Sequence, residues 1–470
     1  MLSKKIKQMS RPKIVRNKYM GKIKLYNQIS KAVEEFTPQD PQNVKIYTCG
    51  PTVYSYPHIG NFTSYIYWDL LIRTLTLNDY KVNRVLNLTD VGHLASDADD
   101  GEDKLEKGAK KEGKTVWEIA DKYSEIFLDD FRALNLVEPQ KIAKATDYIK
   151  EDITVVDKLT EKGYTYETSD GIYYDTSKFA SYSDFARLDL DQMRAGARVK
   201  FNQEKKNVSD FAVWKFVRPG EDHAMQWEYL DRPGYPGWHL ECSTIIQTEL
   251  GMPIDIHTGG IDHIPVHHTN EIAQSEAAFG QKLSNYWLHC DFITIDGEKV
   301  SKSLGNIYTL SDLEKKGFSP LDFKMWVLQG HYRGTRNFSF ADLTAAQTRR
   351  LNWRNRIAKL YQIDLVNSDF SATKALDFVN DNLNSSELLA YIDNSTLSLE
   401  DWKFIDELLG LDLINSTPNI TNELKEKISL REKARQAKDY QTADKMRDEL
   451  ASANITILDT ENGAIWQYTE

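Results

Sequence analysis

The most constraining feature of the chain is a strand–turn–helix pattern between Ile46 and Leu75. A short apolar strand ends at Cys49, a turn with one glycine and two prolines follows, and a helical pattern begins after His58. This arrangement points free backbone N–H groups and a helix N-terminus at one place, where a phosphate can bind. His58 can donate a hydrogen bond to a phosphate oxygen, and Gly60 lets the phosphate approach the backbone. The stretch predicts a phosphate site, although an ordinary turn between a strand and a helix would show the same pattern.

Composition limits the class of protein. The chain of 470 residues is long enough for several domains, and it contains no apolar run of the length needed to span a bilayer. Its three cysteines, Cys49, Cys242 and Cys290, lie far apart, so we expect no disulfide framework and a reducing, cytoplasmic location. Cys290 is expected to be a small buried residue. The net charge of −11 argues against a general basic surface for nucleic acid, but not against a local basic face.

The first two dozen residues are strongly basic and contain no acid before Glu34. No apolar segment follows, so this is not a secretory signal. A basic arm that contacts nucleic acid and an organelle transit peptide both fit the pattern. The basic residues are Lys4, Lys5, Lys7, Arg11, Lys13, Arg16, Lys18, Lys22 and Lys24.

Strand and helix patterns alternate through the first part of the chain. Residues 82–88 predict a second strand, residues 95–113 a polar loop, and residues 115–136 an amphipathic helix with Thr115 as its N-cap. Alternation of this kind predicts a parallel, doubly wound α/β sheet. From about Tyr148, hairpin-like strands and a charged stretch at 189–206 predict an insert that splits this sheet.

Beyond Phe340 the pattern becomes helical. Residues 341–361, 385–408 and 424–453 predict helices, and a short tail from Ile455 to Trp466 follows. The last of these helices has a basic face that fits RNA, although its interleaved acids fit a solvated surface helix equally well. The basic residues are Lys425, Lys427, Arg431, Lys433, Arg435, Lys438, Lys445 and Arg447.

Histidines concentrate in the segment DIHTGGIDHIPVHHTNEIAQSEA. His267 and Glu271 are four residues apart in a helical pattern, so they share a face and can offer two ligands to one metal. Cys49 and Cys242 could join them, because the strand ends of a doubly wound sheet converge on one crevice. Two thiolates, an imidazole and a carboxylate suit Zn²⁺. His268 is a rival ligand that is expected to point elsewhere, and plain core cysteines with helix-capping histidines would also fit.

A second candidate phosphate loop lies at residues 293–305, ITIDGEKVSKSLG. A strand turns at Asp296-Gly297 and then presents Lys299, Ser301, Lys302 and Ser303. Two ammonium groups can offset the negative charge that develops on a leaving polyphosphate. A solvated basic hairpin is the alternative. The candidate phosphate site at His58–Asn61 argues against it, because a second phosphate-binding stretch upstream favours a shared polyphosphate site.

Taken together and in this order, HIGN after a first strand and KVSKS after a late strand resemble the two nucleotide-binding signatures of class I aminoacyl-tRNA synthetases. CGPTVY, PGWHLECS, the HHTNEIAQS segment and GEKVSKSLGN are similar, more specifically, to motifs of the cysteinyl-tRNA synthetase family. The resemblance extends from about Lys24 to Trp466, because KDYQTADKMRDEL and DTENGAIW look like that family's C-terminal module.

The resemblance implies an ATP-dependent ligation of L-cysteine to tRNA(Cys) through a cysteinyl-adenylate, with Mg²⁺ accompanying ATP. It implies one Zn²⁺ per subunit, which would select the substrate by its thiolate. The implied zinc ligands are Cys49, Cys242, His267 and Glu271. The implied cysteine-binding residues are Cys49, Thr89, Trp238, His257 and Asp262, with Asp262 a candidate partner for the substrate ammonium group. The implied ATP-binding residues are His58, Gly60, Asn61, Lys299, Ser301 and Lys302, of which His58, Asn61, Lys299 and Lys302 are the catalytic set.

The expected organisation is a Rossmann-like doubly wound parallel sheet split by a connective insert and followed by an all-α helical module. The family expectation is a monomer that has no membrane contact. The expected segments are a basic arm at 1–21, a first catalytic half at 22–147, the insert at 148–230, a second catalytic half with the zinc site at 231–298, the second nucleotide loop and stem-contact region at 299–340, and a tRNA- and anticodon-binding module at 341–470.

The chain departs from the family pattern at four places. Asn61 ends the first signature, Val300 stands where methionine is commoner, Gly92-His93-Leu94 stands where acids are common, and Thr269 follows His268 where glutamate is commoner. None of these changes removes a predicted zinc ligand. The basic arm has no counterpart in the family core.

Two rival functions share some of these motifs. A ligase that passes cysteinyl-adenylate to an amino sugar would have the same front half, and the C-terminal module argues against it. A silent zinc-containing RNA-binding protein is a second rival, and the presence of His58, Lys299 and Lys302 argues against it, since a pure binder needs no phosphate loop.

Overall fold

The computed structural model describes residues 21–92, 104–189, 204–218, 220, 223–300, 305–363, 367–460 and 463–469. The basic arm at 1–20, His93 and Leu94, most of the charged stretch at 189–206, and residues 301–304 lie outside the described part. Within the described residues, no helix is both long and apolar enough to cross a membrane.

The first part of the chain alternates strands and helices as expected. Its elements are β1 (Lys24–Asn27), β2 (Ala32–Glu35), β3 (Val44–Thr48), α1 (Ile59–Leu77), β4 (Val82–Leu88), α2 (Lys104–Glu112), α3 (Val116–Ala133), β5 (Lys141–Lys144) and α4 (Ile149–Glu161).

The middle part contains a second sheet and then returns to the first. Its elements are β6 (Thr165–Thr168), β7 (Gly171–Tyr174), β8 (Phe211–Phe216), β9 (Trp227–Tyr229), β10 (Arg232–Pro236), α5 (Trp238–Ile245), β11 (Ile254–Gly260), α6 (Thr269–Phe279) and β12 (Ser284–Cys290). A wide π-helical turn, Ile264–His268, leads directly into α6.

The central sheet is parallel throughout, in the order β12–β11–β3–β4–β5. β3 and β11 are therefore neighbours, and the chain order reverses between them, as in a doubly wound Rossmann sheet. The strands β6 to β10 form a separate antiparallel sheet in the order β6–β7–β8–β10–β9. The prediction of a parallel sheet split by an insert is confirmed.

Local predictions in the first half are mostly confirmed. β4 has the predicted bounds, and Thr115 caps α3: its hydroxyl accepts from the N–H of Glu118, while the Glu118 carboxylate accepts from the N–H of Thr115. The first part of the polar loop predicted at 95–113, residues 95–103, lies outside the described part, and the prediction is wrong for the rest, where α2 forms. Leu105 and Ala109 of α2 are buried at helical spacing, and this weak pattern was hidden by the surrounding lysines and acids.

The last part is helical apart from short strands. Its elements are β13 (Ile293–Ile295), β14 (Glu298–Lys299), α7 (Leu310–Glu314), α8 (Pro320–Leu328), β15 (Arg336–Phe338), α9 (Phe340–Leu360), α10 (Ala372–Asn380), α11 (Ser385–Asn394), α12 (Leu399–Leu409), α13 (Asn422–Gln436), α14 (Tyr440–Ala451), β16 (Ile455–Thr460) and β17 (Gly463–Tyr468).

Three details of this part differ from expectation. The helix predicted at 385–408 is two helices, because Ser398 caps a new helix through Asp401. The helix predicted at 424–453 is also two, because Lys438 has a positive φ and Asp439 caps the second helix. The tail is an antiparallel hairpin, β16–β17, which buries Trp466 against the module. The C-terminal module is therefore helical with a β-hairpin at its end.

A buried ionic junction joins the central sheet to the helical module. The carboxylate of Asp69 in α1 accepts from Lys324 Nζ in α8 and from Arg73 Nε, both at 2.8 Å, and from the N–H of Val137. Arg73 also donates to the carbonyl of Glu407 in α12. Lys324 is fully buried, so its charge depends on Asp69.

We expect Asp69→Asn to lower the free energy of unfolding by about 3–5 kcal/mol, because it leaves the buried ammonium of Lys324 without its counter-charge. Urea unfolding followed by tryptophan fluorescence measures the change. Asp129→Asn is the matched control, since its pair with Arg132 is exposed and is worth less than about 1 kcal/mol. Equal effects of the two substitutions would contradict a structural role for the junction.

Candidate functional site

A cleft of about 1,100 Å³ opens at the carboxyl edge of the central sheet, where β3 and β11 are neighbours. This is the crevice in which doubly wound sheets bind ligands. The cleft wall includes nine of the predicted site residues: Cys49, His58, Gly60, Asn61, Thr89, Trp238, Cys242, Asp262 and His267.

The four predicted metal ligands come together at the base of this cleft. Cys49 follows β3, Cys242 lies in α5, His267 lies in the π-helical turn and Glu271 lies in α6. Their donor atoms all lie within 4.8 Å of one another. His267 Nε2 is 2.7 Å from Glu271 Oε1, Cys242 Sγ is 3.6 Å from His267 Nε2, and Cys49 Sγ is 4.0 Å from Glu271 Oε1. His267 and Glu271, four residues apart, therefore lie on the same face, as their spacing predicted.

These residues fit a zinc ion. Ligand atoms bound at about 2.0–2.3 Å around a tetrahedral zinc lie roughly 3.3–3.8 Å from each other. The sulfur-to-nitrogen and sulfur-to-oxygen separations at the site, 3.6 and 4.0 Å, are close to this range. His267 Nε2 and Glu271 Oε1 are in hydrogen-bond contact at 2.7 Å and would have to move apart to bind one ion together. Two sulfur donors with one imidazole and one carboxylate are also a chemically suitable set for zinc.

A second group of donors overlaps the first. Cys49, His257, His268 and Glu271 also lie within 4.8 Å of one another. His268 Nε2 is 3.4 Å from Cys49 Sγ, and His257 Nε2 is 2.7 Å from Glu271 Oε2. The expectation that His268 points away from the site is wrong. His267 and His268 lie in a turn that is wider than an α-helical turn, so both adjacent imidazoles can reach the donor cluster.

Further histidines contact the outer nitrogens of the two imidazoles. His239 Nδ1 is 3.0 Å from His267 Nδ1, and His289 Nε2 is 2.8 Å from His268 Nδ1. Such partners fix the ring orientation of a metal-binding histidine. Trp238 stacks on His267 at 4.4 Å between ring centres, which limits its rotation further.

Burial controls the protonation of the cluster. It raises the pKa of Cys49 to about 11 and the pKa of Cys242 well above its ordinary value. Burial lowers the pKa of His267, but the charge of Glu271 and the hydrogen bonds to Cys242 and Glu271 together outweigh this effect and raise it to about 10. The thiols therefore carry their protons at neutral pH until a metal displaces them.

The predicted cysteine-binding residues occupy two different positions. Thr89, Trp238 and Asp262 line the cleft, and Asp262 is exposed in a short turn after β11. His257 is fully buried, and it stacks on Trp287 at 4.3 Å between ring centres. It therefore lies behind the donor cluster and contacts Glu271.

The two predicted phosphate stretches are adjacent. The N–H of Ile59 donates to the carbonyl of Tyr308, and a Cβ built on Gly60 would lie 3.7 Å from Ile293 of β13. That same Cβ would lie 3.0 Å from two ring atoms of His58, so glycine leaves room for the imidazole. Asn61 Oδ1 accepts from the backbone N–H of His58 at 3.0 Å. Asn61 therefore caps α1 with its oxygen and retains its NH₂ group as a donor.

The second stretch forms the predicted hairpin. β13 and β14 are antiparallel, and Asp296 and Gly297 both have positive φ, as a two-residue hairpin turn requires. Lys299 is paired with Thr294 through the backbone, and its side chain, like Ser301, Lys302 and Ser303, lies outside the described part of the structure. Val300 and Gly305, which flank these residues, both line the cleft.

Glu241 and Asn87 also belong to the cleft region, and neither was predicted from the sequence. Glu241 lies in α5 between Trp238 and Cys242 and is 1% exposed. Burial and the nearby charge of Asp152 raise the pKa of this carboxyl group well above its ordinary value. Its Oε2 accepts from the hydroxyl of Thr89, which also accepts from Asn87. An acidic residue directly before Cys242 in the segment WHLECS was the available signal. Cys290 is buried, as predicted.

Some of the basic side chains on the C-terminal module form ion pairs with acidic residues of the same module. Arg431 pairs with Asp459 at 2.9 Å, Lys427 pairs with Glu449 at 3.0 Å, and Arg447 pairs with Asp444 at 3.0 Å. The remaining predicted lysines are exposed on α13, on α14 and in the turn between them: Lys425, Lys433, Lys438 and Lys445.

Comparisons with known proteins agree with this site. A family model described as "tRNA synthetases class I (C) catalytic domain" matches residues 35–348. The chain is 37% identical to a cysteine–tRNA ligase of Treponema denticola, over 95% of this chain and 99% of that protein. It is 40% identical to cysteine–tRNA ligase 1 of Burkholderia lata, over 94% of this chain and 96% of that protein.

Solved structures show the same fold at low sequence identity. Mycobacterium tuberculosis methionyl-tRNA synthetase in complex with methionyl-adenylate superposes with a TM-score of 0.56 and 16% identity, covering 83% of this chain and 84% of that chain. An Agrobacterium radiobacter leucyl-tRNA synthetase in a ternary complex has a TM-score of 0.55 and 10% identity, covering 80% of this chain and 83% of that chain.

We expect Cys242→Ser to weaken zinc binding by more than about 100-fold, because loss of a ligand should exceed the 10–100-fold cost of losing an outer partner. His268→Asn should keep one zinc per chain. Native mass spectrometry and competition with a chromogenic chelator measure content and affinity. The reverse pattern would assign the metal to the group that contains His257 and His268.

Zinc binding should release at least two protons at pH 7.5, since the pKa of Cys49 is about 11 and that of Cys242 is also raised. Zinc affinity should therefore rise with pH between 6 and 9, because fewer protons have to be displaced. Calorimetry in two buffers of different ionisation enthalpy counts the protons. Cys49→Ser should release one proton fewer, and an affinity independent of pH would contradict the protonated thiols.

Proposed function

The chain belongs to the cysteine–tRNA ligase family of the class I aminoacyl-tRNA synthetases, and we propose that it selects its amino acid through a zinc ion held by Cys49, Cys242, His267 and Glu271. The enzyme ligates L-cysteine to tRNA at the expense of ATP. The reaction runs through a cysteinyl-adenylate and yields cysteinyl-tRNA, AMP and diphosphate. The observation that carries the zinc proposal is the convergence of two cysteines, a histidine and a glutamate at the base of the cleft that also contains His58.

Selection of cysteine over serine is the main chemical demand on this site. An apolar pocket can supply only about 1–3 kcal/mol for so small a difference between side chains. Zinc bound to the four residues would favour the thiolate sulfur of cysteine over the hydroxyl of serine, because sulfur is the softer ligand. The burial of Cys49 and Cys242 supports this role, since it excludes water from the metal side of the pocket.

The rest of the cysteine pocket is assigned to Thr89, Trp238, His257 and Asp262. Asp262 is exposed on the cleft wall, where its carboxylate can accept from the substrate ammonium group. Trp238 lines the cleft and stacks on His267, so it would lie beside the substrate side chain. His257 holds Glu271 through its hydrogen bond and so acts on the pocket from behind.

ATP is assigned to the two adjacent phosphate stretches. His58, Gly60 and the NH₂ group of Asn61 at the start of α1 would bind the phosphates, together with Lys299, Ser301 and Lys302 and with Mg²⁺. The substrate carboxylate attacks the α-phosphate and diphosphate leaves. The terminal ribose hydroxyl of tRNA then takes the cysteinyl group and AMP is released. The protein contributes by positioning the reactants and by offsetting charge on the leaving diphosphate.

The acceptor is proposed to be tRNA(Cys), bound by the module at 341–470. Its exposed lysines Lys425, Lys433, Lys438 and Lys445 suit a phosphate backbone, since none of them has an ion pair among the described residues. The proposal includes the organisation into a first catalytic half at 22–147, an insert at 148–230, a second half at 231–298 and a stem-contact region at 299–340. It also includes a cytoplasmic monomer as the working form.

Charging of transcribed tRNA(Cys) with radiolabelled cysteine tests the function. We expect efficient charging of tRNA(Cys), none of tRNA(Ser), and no transfer to an amino sugar acceptor. Lys302→Ala should reduce the rate of adenylation about 100–1,000-fold, because it removes a donor to the developing charge. Lys315→Ala is the matched control, since this lysine is exposed on the surface beside α7 and should have no effect.

Transfer to the amino sugar without tRNA charging would identify the rival ligase. If the Lys302→Ala variant forms the adenylate at the full rate, Lys302 does not contribute to the ATP site. A folded, zinc-loaded protein that forms no adenylate would support the rival assignment of a silent RNA-binding protein.

A further inference from the structure

Helix α2 has a row of lysines along the side that borders the cleft. Lys104, Lys107 and Lys111 are spaced three and four residues apart, so they share one face of the helix. Lys104 and Lys111 line the cleft, and Lys107 lies between them and is exposed. Leu105 and Ala109, on another face, are buried. The apolar residues therefore anchor α2, and its lysine face stays accessible beside the cleft.

Gly108 lets α2 approach the turn that precedes His58. A Cβ at this position would lie 3.3 Å from the carbonyl oxygen of Tyr54, which is tighter than an ordinary van der Waals contact. A larger residue would therefore hold the helix farther from the turn. Lys104 Nζ also lies 5.8 Å from the centre of the Tyr54 ring. The lysine face and the turn at 54–57 thus form one continuous wall, which leads to the start of α1.

Tyr56 gives this wall an exposed aromatic ring. It is 54% exposed, lines the cleft and packs edge to face on Tyr123 at 5.2 Å between ring centres. Lys122 Nζ lies 5.5 Å from the centre of the Tyr56 ring, and it pairs with Glu112 at 2.6 Å, which offsets the charge of that acid. Exposed rings beside cationic side chains suit single-stranded nucleic acid, because bases stack on the ring and the phosphates follow the positive charge.

The charges of the cleft wall differ between its two sides. Among the described residues of this wall, the lysines are Lys104 and Lys111, both from α2. Asp262 and Asp291 follow β11 and β12, whereas α2 follows β4, which lies on the other side of β3. A phosphate backbone is attracted to the first side and repelled by the second. The cleft of about 1,100 Å³ also exceeds the roughly 300–1,000 Å³ of a typical small-molecule site, so it has room for more than ATP and cysteine.

We propose that the lysine face of α2 and the ring of Tyr56 bind the single-stranded 3′ end of tRNA and direct it into the cleft. This rests on the proposed function, because it takes tRNA as the acceptor. The ammonium groups of Lys104, Lys107 and Lys111 contact the phosphates, and a base stacks on Tyr56. The terminal ribose then enters beside His58, two residues further along the chain. The lysine face therefore serves the transfer of the cysteinyl group to tRNA and not the formation of the adenylate.

Lys107→Ala combined with Lys111→Ala tests the phosphate contacts. We expect kcat/KM for charging of tRNA to fall about tenfold at low salt and to depend less steeply on salt, because two phosphate contacts are lost. ATP–diphosphate exchange, which needs no tRNA, should keep its rate and shows that the variant is folded. Lys81→Ala combined with Lys282→Ala is the matched control, since both lysines are exposed and precede β4 and β12, at the sheet edge opposite the cleft.

A tRNA trimmed of its single-stranded 3′ end shows which part of the tRNA this wall contacts. Fluorescence anisotropy gives the Kd for intact and for trimmed tRNA. The double variant Lys107→Ala, Lys111→Ala should lose affinity for intact tRNA and bind trimmed tRNA as the native protein does. Tyr56→Leu should also weaken only intact tRNA, by about tenfold, because the stacking ring is lost. Tyr56→Phe keeps the ring and should bind both as the native protein does.

Equal weakening of intact and trimmed tRNA would overturn the proposal, because the wall would then contact the body of the tRNA. Full charging by the double variant, or the same loss in the control variant, would also overturn it. Loss of ATP–diphosphate exchange would instead place the lysines in the nucleotide site. Failure of the proposed function would look different, because the native protein would then form no cysteinyl-tRNA at all.

Discussion

The site depends on one buried carboxylate, Glu271. Its two oxygens accept from different histidines, His267 on one side and His257 on the other, each at 2.7 Å. A fully buried carboxylate without such partners would cost several kcal/mol and would take up a proton instead. Burial raises the pKa of Glu271, but the two imidazoles outweigh this effect and hold it below its ordinary value. Glu271 therefore carries its negative charge before any cation arrives, and a metal that binds there has to displace the proton of His267.

The fold supplies the partners of Glu271 from distant parts of the chain. β3 ends at the cleft and brings Cys49, whereas Cys242, His267 and Glu271 come from the second half of the split sheet. Gln274 in α6 donates to the hydroxyl of Ser243 in α5 at 2.7 Å, which fixes these two helices against each other. The junction at Asp69 then ties α1, whose N-cap is His58, to the helical module. The amino acid site, the nucleotide site and the module are thus parts of one connected framework.

Much of this arrangement could be predicted from the sequence. The strand before Cys49, β4, the Thr115 cap and the hairpin at Asp296-Gly297 follow from local patterns with a direct physical cause. The i and i+4 spacing of His267 and Glu271 predicted their shared face. The convergence of strand ends brought in Cys49 and Cys242, and the family resemblance then implied all four as zinc ligands. The position of His268 could not be predicted, because it depends on a π-helical turn that the sequence does not announce. Glu241 could not be predicted because it reaches the cleft region through a hydrogen bond with Thr89, and the two residues are 152 positions apart in the sequence. The capping of new helices at Ser398 and Asp439 was hidden in continuous polar sequence.

The central claim is that the four-residue zinc site selects cysteine, and cysteine-dependent ATP–diphosphate exchange tests it most directly. The rate is measured with cysteine and with serine, in zinc-loaded protein and in protein stripped by a chelator and then restored with zinc. The account predicts strong exchange with cysteine, loss of exchange on stripping, recovery with zinc and negligible exchange with serine. Full exchange in zinc-free protein that still rejects serine would contradict the account, because selectivity would then come from the pocket alone.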